Sequence, residues 1–167
     1  MKDFLIIGNL NAATYKQVFP LIKDGKVRLG VSIHSGDRPF EVPEGHPLKP
    51  TDFYAGTDGH RYARVPSVRW FTTLSASDCP PLTLTATYTP EAYPRYDNYD
   101  AIEVGRTNDI PRDYDGVMGV PISFLDKWCP EQFEIVKFRH GDDGRDLSVN
   151  GKYPFTRILI RRRKSFA

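Results

Sequence analysis

The sequence predicts an α/β fold, and three stretches carry that prediction. Phe4-Leu5-Ile6-Ile7 is apolar without alternation, the pattern of a strand buried on both faces, as in parallel sheets wrapped by helices. Residues 11–25 read as a helix. "KVRLGVSI" (26–33) reads as a second strand, with Val27, Leu29 and Val31 on one side and Arg28 and Gly30 on the other. A parallel sheet needs several such units and only one is present, so the whereabouts of the remaining strands is the first question the sequence raises.

The helix is read from its ends and its stripe. Asn11 is the predicted N-cap, its side chain accepting from a free amide of the first turn. Tyr15, Val18, Phe19 and Ile22 fall at i, i+3, i+4 and i+7. Pro20 removes the bond to the Lys16 carbonyl, which predicts a kink or an early end to the regular part. Gly25 supplies a left-handed cap at the C-terminus.

Residues 34–67, rich in Gly, Pro, His and Asp, are read as a long ordered loop or a small insertion. "SVRWFTTL" (67–74) is a strand with adjacent aromatics, Trp70 and Phe71. Neighbouring strand residues face opposite ways, so one ring belongs to the core and the other is available. "LTLTATY" (82–88) reads as a short strand, and 108–121 carries dense turn signals. "PISFLDKW" (121–128) reads as a short helix opened by Pro121. "FEIVKF" (133–138) and "RILIRRR" (157–163) are strands, and Asn150-Gly151 marks a hairpin turn.

Composition narrows the function classes. Aromatic residues make up 13% of the chain and apolar residues 40%, enough for a core and against disorder of the whole chain. No apolar run approaches the roughly 20 residues that span a bilayer, and the N-terminus lacks the order of a signal peptide. Cys79 and Cys129 read as ordinary buried thiols, and a cytoplasmic setting is the default. The net charge of +2 is unevenly laid out: residues 1–74 hold 10 Lys/Arg against 7 Asp/Glu, and residues 75–167 hold 13 against 14. Such a balance lacks the basic excess of a strong nucleic-acid binder.

Short catalytic motifs are absent. The histidines (His34, His46, His60 and His140) are scattered with no metal spacing. There is no GxSxG, no GxxxxGK[ST] and no GxGxxG after a strand. Asp97, Asp100, Glu103, Asp113 and Asp115 resemble a nuclease metal cluster, but none is followed by lysine in a Glu-x-Lys arrangement, and a solvated acidic face is the expected reading. "DCPPL" (78–82) is read as a rigid turn. The basic run Arg161-Arg162-Arg163-Lys164 is read as a solvated end, with phosphate contact the lesser alternative.

Longer words are more specific. "FLIIGNLNAATYKQVFPLIKDGKVRLG", "RWFTTL", "YPRYDNYDAIEV", "IPRDYDGVMGVPISFLDKWCPEQFEIV", "NGK" and "RILIRR" resemble, in that order, the adenine-specific DNA methyltransferases of the EcoRI modification-methylase type. The resemblance is vaguest over 34–67 and 139–149. It implies a Rossmann-like enzyme that moves a methyl group from S-adenosylmethionine to the N6 of adenine in double-stranded DNA. In this family the cofactor loop and an Asn-Pro-Pro-Phe catalytic loop precede the strand that matches Phe4–Asn9, and no Asn-Pro dipeptide occurs in this chain. The expectation is therefore the C-terminal part of a Rossmann-like methyltransferase sheet (1–74, with an insertion at about 34–67), followed by a mixed α+β target-recognition region (75–167).

The resemblance transfers no catalytic residue, no metal and no cofactor to the chain alone, and its expected complement is an N-terminal methyltransferase half. Candidate DNA-facing residues are Trp70 or Phe71 for stacking on an extruded adenine, Asn9 and Asn11 at the carboxyl end of the first strand, and Arg69 with Arg28 or Arg64 for phosphates. The alternatives are a free-standing, non-catalytic DNA-binding module and a protein that self-associates through an open sheet edge.

Overall fold

The computed structural model describes residues 2–30, 38–47, 49, 52–74, 79–138, 147–154 and 156–164. The architecture is mixed and rich in sheet, with few helices. A first sheet holds β1 (Leu5–Asn9), β2 (Arg28–Leu29) and β6 (Val68–Thr72) in the order β1-β6-β2. Both outer strands run antiparallel to β6, so β1 and β2 are parallel to each other and are joined by the helical crossover that the α/β reading requires.

The crossover departs from a single helix. A 3-10 turn over Leu10–Thr14 precedes α1 (Phe19–Lys23). The cap is Asn9 and not Asn11: its side chain accepts the Asn11 amide at 2.9 Å. Pro20 sits in the first turn of α1, where its fixed φ is already helical and its missing N–H costs nothing. Splitting the segment also leaves Tyr15 58% exposed, off the expected stripe. Gly25 takes φ +69°, as a left-handed cap requires.

The expectation for the first strand is corrected. β1 lies at the edge of its sheet, antiparallel to its neighbour, and Leu5, Ile6 and Ile7 are 53%, 54% and 49% exposed. Three successive side chains point to alternate faces of the sheet, and all three are only half covered at this edge.

Residues within 34–67 form a second sheet of β3 (Arg38–Glu41), β4 (Tyr54–Ala55) and β5 (Arg61–Val65), antiparallel in the order β3-β5-β4. A third sheet orders β7 (Ile102–Glu103), β8 (Met118–Pro121), β9 (Phe133–Phe138) and β10 (Arg157–Arg162) as β7-β8-β10-β9. "RILI" in β10 is a non-alternating run that is buried on both faces. Ile158 and Ile160 enter the main core, and Leu159 enters a smaller one with Tyr96, Ala101 and Leu147. Residues 122–127 form a 3-10 helix capped by Pro121, and 82–88 forms no strand, only a bridge from Ala86 to Pro111. Asn150 and Gly151 both have positive φ (50° and 73°), as a type I′ turn demands.

The main core joins Phe19, Ile22 and Phe71 to Ile102, Phe124 and Phe133, so the first sheet and the third share one interior. No helix among the described residues is long and apolar enough to cross a membrane.

Candidate nucleic-acid interface

Register decides which of the predicted residues meet. Ile7 opposes Trp70, Asn9 opposes Val68 and Arg28 opposes Thr72. Opposed residues share a face, and so do alternate residues of one strand. Trp70, Asn9 and Arg28 therefore lie on one face of the first sheet. Phe71 and Arg69 lie on the other, 4% and 4% exposed. Of the two adjacent rings, Phe71 is the core residue and Trp70 the half-buried one.

Gly30 gives Trp70 its seat. A β-carbon there would stand 2.7 Å from the Trp70 Cβ, so only glycine lets the indole lie across β2. Asn9 is spent locally, with its Nδ2 donating to the Pro66 carbonyl at 3.2 Å while its oxygen caps the 3-10 turn. Asn11 stands exposed one turn further on. Arg28 is half-buried. The Glu131 carboxyl is held below its usual range first by the Cys129 thiol, then by its own backbone amide, with Arg28 adding its charge.

Arg69 is placed differently from the sequence expectation. Its guanidinium grips Asp126 with two bonds and donates a third to the Val68 carbonyl at 2.8 Å. A phosphate could reach it only by displacing a buried carboxylate. Arg64 is exposed on β5, with its guanidinium 5.1 Å from the centre of the Tyr54 ring, in a different sheet from Trp70.

The five clustered acids are not simply solvated. Asp97 accepts the amides of Asn150 and Gly151 (3.2 and 2.9 Å), and Asp113 accepts that of Tyr88 at 2.7 Å. Asp100 pairs with Arg95, and Asp115 with Arg162. Glu103 binds Arg157 at 2.5–2.8 Å and also receives the Tyr96 hydroxyl. Asp115 and Glu103 bond to β10, the other three join loop to loop, and no group of three metal-ligating side chains occurs among the described residues. The basic end is likewise engaged: Arg161 pairs with Glu134 and Arg163 donates to the Pro130 carbonyl.

Sequence reasoning missed the aromatic–arginine pairs of the second sheet. Arg61 lies 5.1 Å from the Phe53 ring centre, and Tyr54 stacks on Tyr62 at 5.9 Å. The signal was available in the turn "GTDG" (56–59) between "FYA" and "RYARV", which is a hairpin pattern.

Comparison with known proteins accounts for nearly the whole chain. It is 49% identical over 169 residues to the Type II methyltransferase M.EcoRI of Escherichia coli, an alignment covering 98% of this chain and 51% of that protein. It is 31% identical to the Type II methyltransferase M.MpnI of Mycoplasma pneumoniae (98% and 58%). Identity to M.MgeORF184P of Mycoplasma genitalium is 29% (98% and 58%). The chain thus spans about half the length of the curated relatives it matches. No solved structure matches it. Residues 1–163 match the family described as adenine-specific methyltransferase EcoRI, and the chain belongs to that family.

Proposed function

We propose that residues 1–167 are the C-terminal portion of an S-adenosylmethionine-dependent adenine-N6 DNA methyltransferase of the restriction-modification type, contributing DNA contacts and one wall of the base pocket. On this reading the portion is inactive until joined by the half that its relatives possess and it does not match. The observation that carries it is the open, apolar edge of β1. A βαβ unit whose first strand is an edge strand with three half-exposed apolar side chains supports a Rossmann-like sheet continued by further strands.

The chemistry explains the dependence. The exocyclic amine of adenine is a weak nucleophile because its lone pair is delocalised into the ring. In the family an asparagine side chain and a proline carbonyl accept its hydrogens, and positioning does the rest. The residues here do not fit the cofactor by themselves. Asn9, at the carboxyl end of β1, is already bonded to Pro66 and Asn11, and Asn11 alone makes no cradle, so no step is assigned through it. Trp70 offers the half-buried ring on which an extruded base would stack, and Arg28 offers charge on the same face.

The test is methyl transfer from labelled S-adenosylmethionine to adenine-containing duplex. The chain should transfer nothing alone and should transfer when mixed with the unmatched half of the E. coli relative. Incorporation by the chain alone overturns the claim of incompleteness. The same open edge favours a second reading, pairing of two copies through β1. A mass by sedimentation equilibrium that doubles with concentration and is unaffected by the added half would select it.

A further inference from the structure

Cys79 and Cys129, far apart in sequence, are brought together where residues 79–82 dock on the chain between the 3-10 helix over 122–127 and β9. Gln132, 5% exposed, clamps this docking with both ends of its amide. Its Oε1 accepts the Leu82 amide at 2.7 Å and its Nε2 donates to the Leu82 carbonyl at 2.8 Å. On the facing segment the Trp128 indole donates to the Phe133 carbonyl at 2.9 Å. Cys79 precedes Pro80 and Pro81, which restrict its backbone to extended forms. Both cysteines are therefore held in place by their surroundings.

Within this clamp the Cys79 thiol donates to the Trp128 carbonyl at 2.9 Å, and that carbonyl belongs to the peptide bond leading into Cys129. The Cys129 thiol donates to the Glu131 carboxylate at 3.1 Å. The two sulfurs also act on each other: burial, then Cys129 beside it, push the Cys79 thiol up to about 11. Exposure divides them, since Cys129 is 1% exposed and Cys79 is partly open to solvent. The Arg28 charge bears on both Cys79 and Glu131, so the pair borders the end of β2.

We propose that this pair is an oxidation site, closed to a Cys79–Cys129 disulfide by hydroperoxides. Cys79, the more exposed of the two, meets the oxidant first. Its thiolate attacks one peroxide oxygen, the O–O bond breaks, and the other oxygen leaves as water or an alcohol, giving a sulfenic acid. The Cys129 sulfur then attacks the Cys79 sulfur. An S–S bond forms, the S–O bond breaks, and the departing hydroxide takes the Cys129 proton, which Glu131 is placed to pass on, as a second water. Two thiols lose two electrons and one hydroperoxide gains them. Because the thiolate is the nucleophile, the raised titration of Cys79 makes the first step slow at neutral pH and faster in alkali. The product joins residues 79–82 covalently to the segment they dock on, and it forms independently of what the chain binds.

The experiment treats the reduced full chain with hydrogen peroxide, blocks remaining thiols with a maleimide, and maps the peptides by mass spectrometry without reductant. The expected product is a monomer in which the Cys79 and Cys129 peptides are joined, lighter by two hydrogen atoms than the free pair, and reopened by dithiothreitol. Its formation should quicken about tenfold per pH unit below the titration of Cys79. Thermal unfolding of the oxidised chain should shift upward by about 10 °C. In Cys129→Ala, Cys79 should stop at a sulfenic acid that dimedone traps. In Cys79→Ser, which alters a partly exposed position and keeps the pair testable should the buried variant not fold, Cys129 should stay reduced. Three results would each overturn the proposal: oxygen adducts on the cysteines without joined peptides, joined peptides in dimers only, or thiols still free after about a thousandfold the time that oxidises glutathione in the same buffer.

Discussion

Arg69 and Asp126 face each other through two parallel bonds, Nε to Oδ1 at 2.6 Å and Nη2 to Oδ2 at 2.8 Å, with each side chain only 5% exposed. The pair fastens β6 to the 3-10 helix over residues 122–127. A buried charge that loses its partner costs far more than the pair is worth against apolar replacements. Asp126→Ala should therefore destabilise the chain by about 3–5 kcal/mol, while Arg69→Met with Asp126→Leu should recover most of that loss. Urea unfolding of the three proteins checks this, and equal losses for the single and double variants would contradict it.

A second fastening point is Tyr96, 5% exposed, whose hydroxyl bonds Glu103, itself held by Arg157. Burial, then the bond to Glu103, pushes the phenol far above its ordinary range, so it stays a donor at all working pH. Gly119 on β8 makes room for this ring: a β-carbon there would stand 2.7 Å from Tyr96 Cζ. Tyr96→Phe should cost about 1–2 kcal/mol through the carboxylate left short of a donor. Gly119→Ala, which displaces the ring and its network together, should cost more. Thermal unfolding ranks the two.

These two fastenings show where sequence reading stops. β6, β9, β10 and the Asn150-Gly151 turn were legible because strand alternation and turn chemistry are local. The same logic puts one of Trp70 and Phe71 inward and the other outward, and only the structure says that Phe71 is the inward one. That logic failed for Arg69, since a partner 57 residues away at Asp126 leaves no mark on the local pattern. For the acids at 97–115 the solvated reading holds in exposure for all but Glu103, but the partners of Asp97, Asp113 and Asp115 lie 25 or more residues away and leave no local mark. The run at 4–7 reads as buried on both faces, yet it forms an edge strand whose Leu5, Ile6 and Ile7 stand about half exposed.

Acid should loosen one loop before the rest. The carboxyl of Asp97 is held below its usual 3.8, first by the Gly151 amide, with Ser148 and Asn150 adding to it. A carboxyl with a depressed folded-state pKa stabilises above its unfolded value and loses that contribution as the pH falls through the folded one. The link from Asp97 to the 150–151 turn should thus be intact above about pH 4 and fade as the solution is acidified further. The Gly151 and Asn150 amide shifts followed by NMR should move together in that range. In Asp97→Asn, which keeps one acceptor but no charge, they should not titrate.

The exposed apolar edge makes a prediction of opposite sign in two settings. Leu5 and Ile7 are 53% and 49% exposed, whereas Ile22 is 1% exposed. In the isolated chain Leu5→Lys and Ile7→Lys should change stability by no more than about 0.5 kcal/mol, and charge on an open edge should reduce aggregation. Ile22→Ala should cost about 2–5 kcal/mol by leaving a cavity. On the proposed reading, in which strands of the complementary half continue the sheet beyond β1, the ranking should reverse for assembly when that half is added, because a lysine buried there would bring a desolvation cost that the isolated chain never meets. Co-elution with that half should be lost in the lysine variants at temperatures where the chain itself remains folded. A loss of 2 kcal/mol or more from Ile7→Lys in the isolated chain would instead place β1 inside a core of its own.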